Sequence, residues 1–277
     1  MREALERRGL RIHYCASDVD HNRTVTAFSG EPAELRDGIL ELCALAFPAI
    51  DLGRHVGAHP RIGALDVCPI VPIDEPPVPS ESDELQEYVE SLGAEIADRW
   101  GVPVYLYEKS ERGRHEADLP SLRRGGFGGL WNRELRPDFG PSAYHPHLGV
   151  TILGVRDFLL AFNVNLRPAN GRAAETVAEQ IRELRREGDT RFLGVRALGF
   201  ALPTRELAQV SLNATLPDLT AVDPIVEYVI GEAAKAQLVF AGAELIGVIR
   251  QRDLSGATRL PVEPAQIVDG VPDESKL

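Results

Sequence analysis

Apolar residues recur along the chain with two periods, and each period predicts one kind of element. Leu35, Ile39 and Leu42 recur every three or four residues, which is the spacing of one face of a helix. Helices are predicted over residues 1–8, 33–46, 81–100, 173–187 and 224–237. Short runs rich in β-branched and aromatic residues predict strands over residues 11–16, 24–29, 67–73, 102–107, 157–166, 194–201, 208–214 and 244–250.

The order of these elements predicts the fold class. The second half runs strand, helix, strand, strand, helix, strand, which is the order of the ferredoxin-like split unit. The first half runs helix, strand, strand, helix, strand, which is the same order without its N-terminal strand. We therefore expect an α+β chain of two ferredoxin-like, βαββαβ-type subdomains over 1–156 and 157–252, with a Pro-rich connector at 74–80 and a loose C-terminal tail at 253–277.

The strand that the first half lacks would lie inside its sheet, beside residues 67–73. A sheet without it would leave backbone groups unpaired in a core. We therefore expect that the natural domain begins upstream of Met1 or that this copy is truncated, which translation of the upstream DNA tests.

The amino-acid composition and net charge of the chain disfavour several classes of function. The net charge of −12 makes a nucleic acid or an anionic membrane an unfavourable partner. The three cysteines form no CxxC pair, which is typical of a cytoplasmic protein without structural zinc. The charged N-terminus lacks the apolar segment of a signal peptide, and no apolar run reaches the roughly 20 residues of a membrane span.

Two histidines, His55 and His59, lie four positions apart in the loop that precedes the strand at 67–73. A His-x-x-x-His pair binds metal on a helix, but Gly57 and Pro60 oppose a helix here, and no third ligand is evident. We therefore predict no metal site, and a structural or substrate-orienting role for His55. Titratable groups on an irregular loop next to a buried strand are typical of a catalytic site.

Several stretches together resemble one family. They are TAFSGEP after DVDHNR, AIDLGRHVGAHPRIGALDVCPIVP, VPVYLYEKSERGR followed by LRRGGF, RPDFGPSAYHPHLGVTILGVRDFLLAFNVNL, and LAQVSLN. These stretches are similar to the formiminotransferase domain of the glutamate formiminotransferases and of formiminotransferase-cyclodeaminase. The resemblance covers residues 11–250, with Ile70 in the usual place of a Phe. Family members begin with a strand and an Asn-Phe-Ser-Glu-Gly-like loop, which this sequence lacks.

The resemblance implies a function, a fold and partners. The family transfers a formimino group from N-formiminoglutamate to N5 of tetrahydrofolate and releases glutamate, in histidine breakdown. Its two α/β subdomains enclose a substrate tunnel, and its members form homodimers. Tetrahydrofolate is thus the expected co-substrate. The alternatives are an N-formylglutamate donor, or a truncated homologue that binds folate without catalysis.

The resemblance also implies site residues. The catalytic histidine of the family lies in the HPR triplet, which places the role on His59. An unperturbed histidine has a pKa of about 6.5, so it both accepts and donates protons near neutral pH. The folate-binding stretch of the family corresponds to Gly140, Pro141, Ser142, Ala143, Tyr144, His145, Pro146, His147, Leu148 and Gly149. Core packing is the alternative role for Tyr144.

Further candidates follow from the glutamate carboxylates of both substrates, which Arg binds in a bidentate fork. They are Arg112, Arg114, Arg123 and Arg124 of the Gly-bearing loop, for which a solvated surface loop is the alternative, and Arg23 of the polar turn at 17–23, which turn formation alone requires less than it requires the Asx residues there. Asp66 either orients a histidine or begins the strand. Asn163 and Asn165 alternate on an apolar strand, where they line the tunnel or cap neighbouring loops.

Overall fold

A computed structural model describes residues 1–73, 79–134 and 136–268. Residues 74–78 of the predicted connector and 269–277 of the predicted tail lie outside this part of the chain. None of the described helices is long and apolar enough to cross a membrane.

The described residues form helices and strands close to the predicted ones. The α-helices are α1 (Arg2–Arg7), α2 (Pro32–Ala46), α3 (Pro79–Trp100), α4 (Leu119–Leu122), α5 (Gly126–Gly129), α6 (Gly171–Glu187) and α7 (Val222–Lys235). The strands are β1 (Arg11–Asp18), β2 (Arg23–Ser29), β3 (Val67–Ile70), β4 (Val104–Leu106), β5 (Thr151–Val155), β6 (Leu160–Arg167), β7 (Val195–Leu202), β8 (Leu207–Ala214) and β9 (Val239–Ile246).

The chain divides into two compact units. The first contains Met1–Arg11 and Ser29–Asp157, and the second contains Ile12–Phe28 with the chain from Phe158 onward. Most of the β1–β2 hairpin therefore belongs to the second unit, an arrangement that the element order did not predict. The predicted boundaries at 156 and 252 stay predictions.

The first unit is built on a three-stranded parallel sheet in the order β3-β5-β4. Helix α3 packs on β4 and β5, and α2 packs on α1 and α3. A capping box between Glu31 and Glu34, together with Pro32 in the first turn, fixes the start of α2. The core on the sheet joins strand and loop residues: Ile62, Tyr105, Tyr107, Leu122, Leu130, Val150 and Ile152.

Strand β5 is the main difference from the prediction for the first unit. Its residues 151–155 are all buried, and it lies between β3 and β4. The sequence pattern predicts no strand there, because the apolar run directly follows a Pro- and Gly-rich stretch. Since β3, β5 and β4 are parallel, this sheet is also not the antiparallel sheet expected of a ferredoxin-like subdomain.

The second unit has the predicted order of strand, helix, strand, strand, helix, strand. Four of its strands form one antiparallel sheet in the order β7-β8-β6-β9, and the β1–β2 hairpin is a separate two-stranded sheet. Asn170 caps α6 through a hydrogen bond from the Ala173 N–H, and Gly188 ends that helix in the left-handed region. Phe162, Val164 and Leu166 are fully buried in a core that also contains the inner faces of α6 and α7.

Side chains alternate along a strand, so Asn163 and Asn165 project from the opposite face of β6. Across the sheet they pair with Ser211 and Gln209 of β8, and Asn163 also pairs with Glu244 of β9. This face of the sheet is therefore polar, whereas the helix-covered face is apolar.

Two predictions for the end of the chain are wrong. The last strand is β9, Val239–Ile246, and not residues 244–250. The tail was expected to be loose, but its described part is packed. Leu260, Gln266 and Val268 are each about 5–6% exposed, and Ile249 forms a parallel bridge with Ile267. Buried apolar residues between the prolines keep this segment packed, although it forms no long helix or strand.

Candidate functional site

The histidine loop and the 140–149 stretch lie against each other in the first unit. The Leu52 N–H donates to the His147 carbonyl oxygen at 2.8 Å, and the Ala64 N–H donates to the Leu148 carbonyl oxygen at 2.9 Å. The Val150 N–H donates to the Ile62 carbonyl oxygen at 3.0 Å. The structure thus joins the two stretches that carry most of the candidate residues.

Glycine is required where these two loops meet. Gly63 and Gly149 form an antiparallel bridge. A Cβ added to Gly63 would lie 2.0 Å from the Val150 carbonyl oxygen, and a Cβ added to Gly149 would lie 2.0 Å from the Ile62 carbonyl oxygen. Gly149 also has a φ of +70°, which disfavours other residues.

His59 is half-buried on the irregular part of this loop. Its Nδ1 lies 2.9 Å from the Pro60 carbonyl oxygen, which can only accept, so Nδ1 carries a proton. In the neutral ring the basic lone pair is therefore on Nε2. This tautomer suits a general base that takes a proton with Nε2.

Arg61 holds the loop that carries both histidines. Its guanidinium donates to the carbonyl oxygens of His55 and Gly57. Burial lowers the pKa of Arg61 from its ordinary value, and the neighbouring Asp66 opposes this shift. The contact assigns a loop-bracing role to the backbone of His55, and sequence reasoning did not single out Arg61.

Asp66 directly precedes β3 and fastens the end of the same loop. Its Oδ1 accepts hydrogen bonds from the Ile62 N–H at 2.8 Å and from the Gly63 N–H at 3.1 Å. Its Oδ2 forms an ion pair with Arg123, and both side chains are largely buried. Within the described residues, Asp66 thus orients a backbone turn and an arginine, and these contacts include no histidine.

The second loop closes on itself through His145. Its backbone exchanges two hydrogen bonds with Gly149, at 2.9 and 2.8 Å. The ring Nδ1 accepts from the His147 and Leu148 N–H groups at 3.2 and 3.1 Å, which requires an unprotonated Nδ1. Burial and the neighbouring His147 lower the pKa of His145. This ring shapes the turn as a neutral acceptor.

His147 projects outward from the same turn. Its Nδ1 lies 3.2 Å from Asp51 Oδ1, which also accepts from the Gly53 N–H. The hydrogen bond from His147 lowers the pKa of the Asp51 carboxyl. The pair adds a side-chain link between the two loops.

Aromatic rings border the 140–149 stretch. Tyr144 is half-buried and packs edge-on against Phe127, with ring centroids 6.1 Å apart. Trp131 lies parallel to Tyr144, with planes 6° apart and centroids 6.4 Å apart, although Trp131 is 67% exposed. Sequence reasoning missed Trp131, and its only signal was a lone tryptophan in the Gly-rich segment.

The basic segment between β4 and β5 is ordered as short helices rather than as a plain loop. Arg112, Arg114 and Arg124 are exposed there, whereas Arg123 binds Asp66. His115 anchors the segment.

The contacts of His115 require a protonated ring. Its Nε2 donates to Asp138 at 2.8 Å, and its Nδ1 donates to the Glu116 carbonyl oxygen at 2.9 Å. Burial alone lowers the pKa of His115, but these two acceptors outweigh it and raise the pKa above its ordinary value. Asp138 also accepts from the Leu106 N–H of β4, which ties the segment to the sheet.

Arg23, Asn163 and Asn165 belong to the second unit, and the two asparagines take part in a buried chain of hydrogen-bonded polar side chains. His21 Nε2 donates to Gln209, Gln209 donates to Asn165, and Asn165 donates to Glu244, at 2.8, 2.8 and 2.7 Å. Glu244 also accepts from Asn163 at 3.4 Å and from Arg205. Every donor in this chain points toward the Glu244 carboxylate.

A cleft of about 180 Å³ lies over this polar face of the sheet. Its lining includes the hairpin residues Tyr14, Asp18 and Arg23, together with Asn163 and Glu244 of the sheet. Sequence reasoning missed Glu244, although a single carboxylate in an otherwise apolar strand was a usable signal. Its partner Arg205 lies in a separate turn, and local sequence carried no sign of the pairing.

The arrangement defines a protein of two α/β units, in which a histidine loop is fixed against a glycine-rich turn. Residues 1–156 match the N-terminal subdomain of the formiminotransferase domain, and residues 161–277 match the formiminotransferase domain. The chain belongs to the formiminotransferase family.

Curated relatives agree with this assignment. The chain is 38% identical over 250 residues to "Formimidoyltransferase-cyclodeaminase" of Sus scrofa, which covers 87% of this chain and 45% of that protein. It is 32% identical over 237 residues to "Glutamate formimidoyltransferase" of Streptococcus pyogenes serotype M1, covering 84% of this chain and 77% of that protein. The glutamate formimidoyltransferase of Thermoplasma acidophilum is 31% identical over 243 residues, with coverages of 86% and 77%. The chain thus spans about half the length of the cyclodeaminase relatives and most of the shorter ones.

Proposed function

We propose that this protein transfers a formimino group from N-formimino-L-glutamate to N5 of tetrahydrofolate and releases L-glutamate, as a step of histidine degradation. The observation that carries the proposal is the backbone pairing of Gly63 with Gly149. It holds the HPR loop and the 140–149 stretch together in one compact unit. The names of the relatives support the same activity.

His59 moves the proton in this proposal. N5 attacks the amidine carbon, a tetrahedral intermediate forms, and the bond from carbon to the glutamate nitrogen then breaks. N5 loses one proton and the departing nitrogen gains one. His59 Nε2 takes the first proton and returns it to the leaving amine, so the ring ends the cycle unchanged. A positioned acid–base group of this kind typically supplies about 10²–10⁴-fold in rate.

The 140–149 stretch and its aromatic border receive tetrahydrofolate. The pterin is flat and rich in amide-like groups, which suits the backbone of a Pro- and Gly-rich turn. Tyr144 and the parallel ring of Trp131 offer apolar faces beside that turn. His145 keeps the turn closed, and His147 with Asp51 fastens it to the histidine loop.

The exposed arginines of the basic segment draw in the glutamate carboxylates. Arg112, Arg114 and Arg124 present unburied guanidinium groups on a chain of net charge −12. Arg123 instead holds Asp66 in place through their ion pair. Arg23 lines the cleft of the second unit.

The proposal also includes predictions about metal dependence, oligomeric state, location and subdomain arrangement. We expect no requirement for a metal, since the reaction needs only proton transfer at nitrogen, and chelator treatment tests this. The homodimer, the cytoplasmic location, a tunnel between subdomains and the boundaries at 156 and 252 stay predictions. The strand order β9-β6-β8-β7 supports a ferredoxin-like class for the second unit.

A transfer assay on the purified chain tests the proposed function. The chain is mixed with tetrahydrofolate and N-formimino-L-glutamate, and both 5-formiminotetrahydrofolate and free glutamate are quantified. We expect equal amounts of the two products. Glutamate release without folate modification indicates a hydrolase instead, and release of neither product contradicts the proposal.

A further inference from the structure

The cleft of the second unit contains a buried acceptor that lacks a donor. Asn163 lines the cleft and is only 2% exposed, and its Oδ1 has no hydrogen-bond partner within the described part of the chain. Its Nδ2 donates to Glu244 Oε2 at 3.4 Å, which fixes the orientation of the amide. A buried acceptor without a donor is costly, so this position favours a ligand that brings N–H groups.

The ion pair between Glu244 and Arg205 uses one oxygen of the carboxylate. Oε1 accepts hydrogen bonds from Arg205 and from Asn165. Among the described residues, the hydrogen bond to Oε2 is the long one from Asn163. Burial alone raises the pKa of the Glu244 carboxyl, but hydrogen bonds from Arg205 and Asn165 outweigh burial, and the net pKa is lowered. The carboxylate is thus ionised, and its Oε2 can accept a further donor.

Arg205 in turn keeps donors for a second anion. Its Nη2 donates to Glu244, and its Nη1 lies 3.5 Å from Asp18 Oδ2, which is longer than a normal hydrogen bond. A guanidinium group carries five N–H donors. The side chains of Arg205 and Glu244 are 34% and 30% exposed, so the cleft presents a cation and an anion side by side to a ligand.

The charged side chains of the cleft are balanced in number. Among the described residues that line it, Asp18 and Glu244 are acidic, and Arg23 and Arg205 are basic. A simple cation or a simple anion would match only one sign of this lining. A ligand with one positive group, one negative group and no net charge is complementary to both signs.

The remaining lining and the volume limit the size of such a ligand. Ala16, Val25 and Ile246 add apolar surface to the cleft. Its volume of about 180 Å³ corresponds to roughly six water molecules at about 30 Å³ each, which suits a small amino acid and not a pterin with its glutamate tail.

We propose that this cleft binds a free α-amino acid with a small aliphatic side chain. The ammonium group of the ligand donates to Asn163 Oδ1 and Glu244 Oε2, and its carboxylate accepts from Arg205. All of these residues belong to the second unit. The site therefore requires no residue of the histidine loop, and its test is independent of the proposed transfer reaction.

Calorimetric titration of the unmodified chain with L-alanine gives the first test. We expect saturable binding with a Kd of about 1 mM or tighter. N-acetyl-L-alanine lacks the ammonium group and L-alanine methyl ester lacks the carboxylate, so each should bind at least about 10-fold more weakly, as expected for the loss of a charge-assisted hydrogen bond. Absent binding of L-alanine, or equal binding of either analogue, overturns the inference.

Two variants test the location of the site. Ala16 is exposed and lines the cleft, so Ala16→Phe fills the cleft without changing the core and should weaken L-alanine binding at least about 10-fold. Asn163→Ala removes the unsatisfied acceptor and should weaken binding at least about threefold. Asn213→Ala is the matched control, because Asn213 lies on the same face of the sheet but outside the cleft lining, and it should keep the original affinity.

Circular dichroism checks the fold of each variant. Should Asn163→Ala fail to fold, Ala16→Phe decides. A folded Ala16→Phe protein that binds L-alanine as tightly as the unmodified chain overturns the inference, and so does a folded Asn163→Ala protein with unchanged affinity.

Discussion

Gly63 and Gly149 face each other across two loops, so closely that a Cβ on either would lie 2.0 Å from a backbone carbonyl oxygen of the opposite loop. The contact is made of backbone atoms, which cannot move aside as the end of a flexible side chain does. It therefore sets the distance between the histidine loop and the 140–149 stretch.

Gly63→Ala should separate these loops. Overpacking of this kind typically costs about 1–3 kcal/mol, and urea unfolding measures the loss. Gly128→Ala is the matched control, because a Cβ at that position meets nothing within 4 Å. A Gly63→Ala protein as stable as the Gly128→Ala protein would show that the loops are not in close contact.

Arg123 and Arg124 are neighbours with different expected roles. Arg123→Ala removes the ion pair of Asp66 and leaves a largely buried carboxylate without its cation, so stability should fall by about 1–3 kcal/mol. Arg124 is exposed, so Arg124→Ala should leave stability within about 0.5 kcal/mol and raise the KM for the glutamate-bearing substrates. Paired urea unfolding and steady-state kinetics distinguish the two roles, and equal losses of stability would contradict the assignment.

His115 makes the stability of the first unit depend on pH. Its pKa is raised in the folded state, so its contribution is fully present below the unfolded value of about 6.5 and is lost as pH rises through the folded value. The difference in unfolding free energy between the unmodified protein and His115→Gln should therefore shrink as pH rises from 6 upward. A difference that stays constant between pH 6 and pH 9 would refute a protonated His115.

Trp131 provides a direct signal for folate binding. The chain has two tryptophans, and Trp100 packs edge-on against Phe47 rather than beside Tyr144. Tetrahydrofolate should quench fluorescence in the Trp100→Phe protein and not in Trp131→Phe. Trp131→Ala should raise the KM for tetrahydrofolate about 2- to 13-fold, the equivalent of roughly 0.5–1.5 kcal/mol for an aromatic contact. Quenching that persists in Trp131→Phe would exclude this contact.

Features that depend on neighbouring residues were predicted from the sequence more completely than contacts between residues far apart in the chain. The helix at 33–46 was confirmed almost to the residue, because the capping box and Pro32 mark its start and its apolar spacing is regular. The pattern did not predict strand β5, because its short apolar run directly follows a Pro- and Gly-rich turn that gives no strand signal. The first sheet was consequently given the wrong strands.

Distant pairings could not be predicted from local pattern. Asp66 and Arg123 are 57 residues apart, and His21 and Gln209 are 188 residues apart. Sequence reasoning named Asp66, Arg123, Asn163 and Asn165 as candidates from residue type alone. It could not assign their partners. A buried polar group needs a hydrogen-bond partner, but its position in the sequence does not identify which residue that partner is.

The turnover of His59→Ala tests the central claim most directly. Val56→Ala is the control, since Val56 lies on the same loop and is 83% exposed. If His59 carries the proton between N5 and the leaving amine, His59→Ala should lower kcat for formimino transfer by at least about 10²-fold, with tetrahydrofolate binding retained and Val56→Ala near the original rate. A folded His59→Ala protein with kcat within a few-fold of the original would contradict this account.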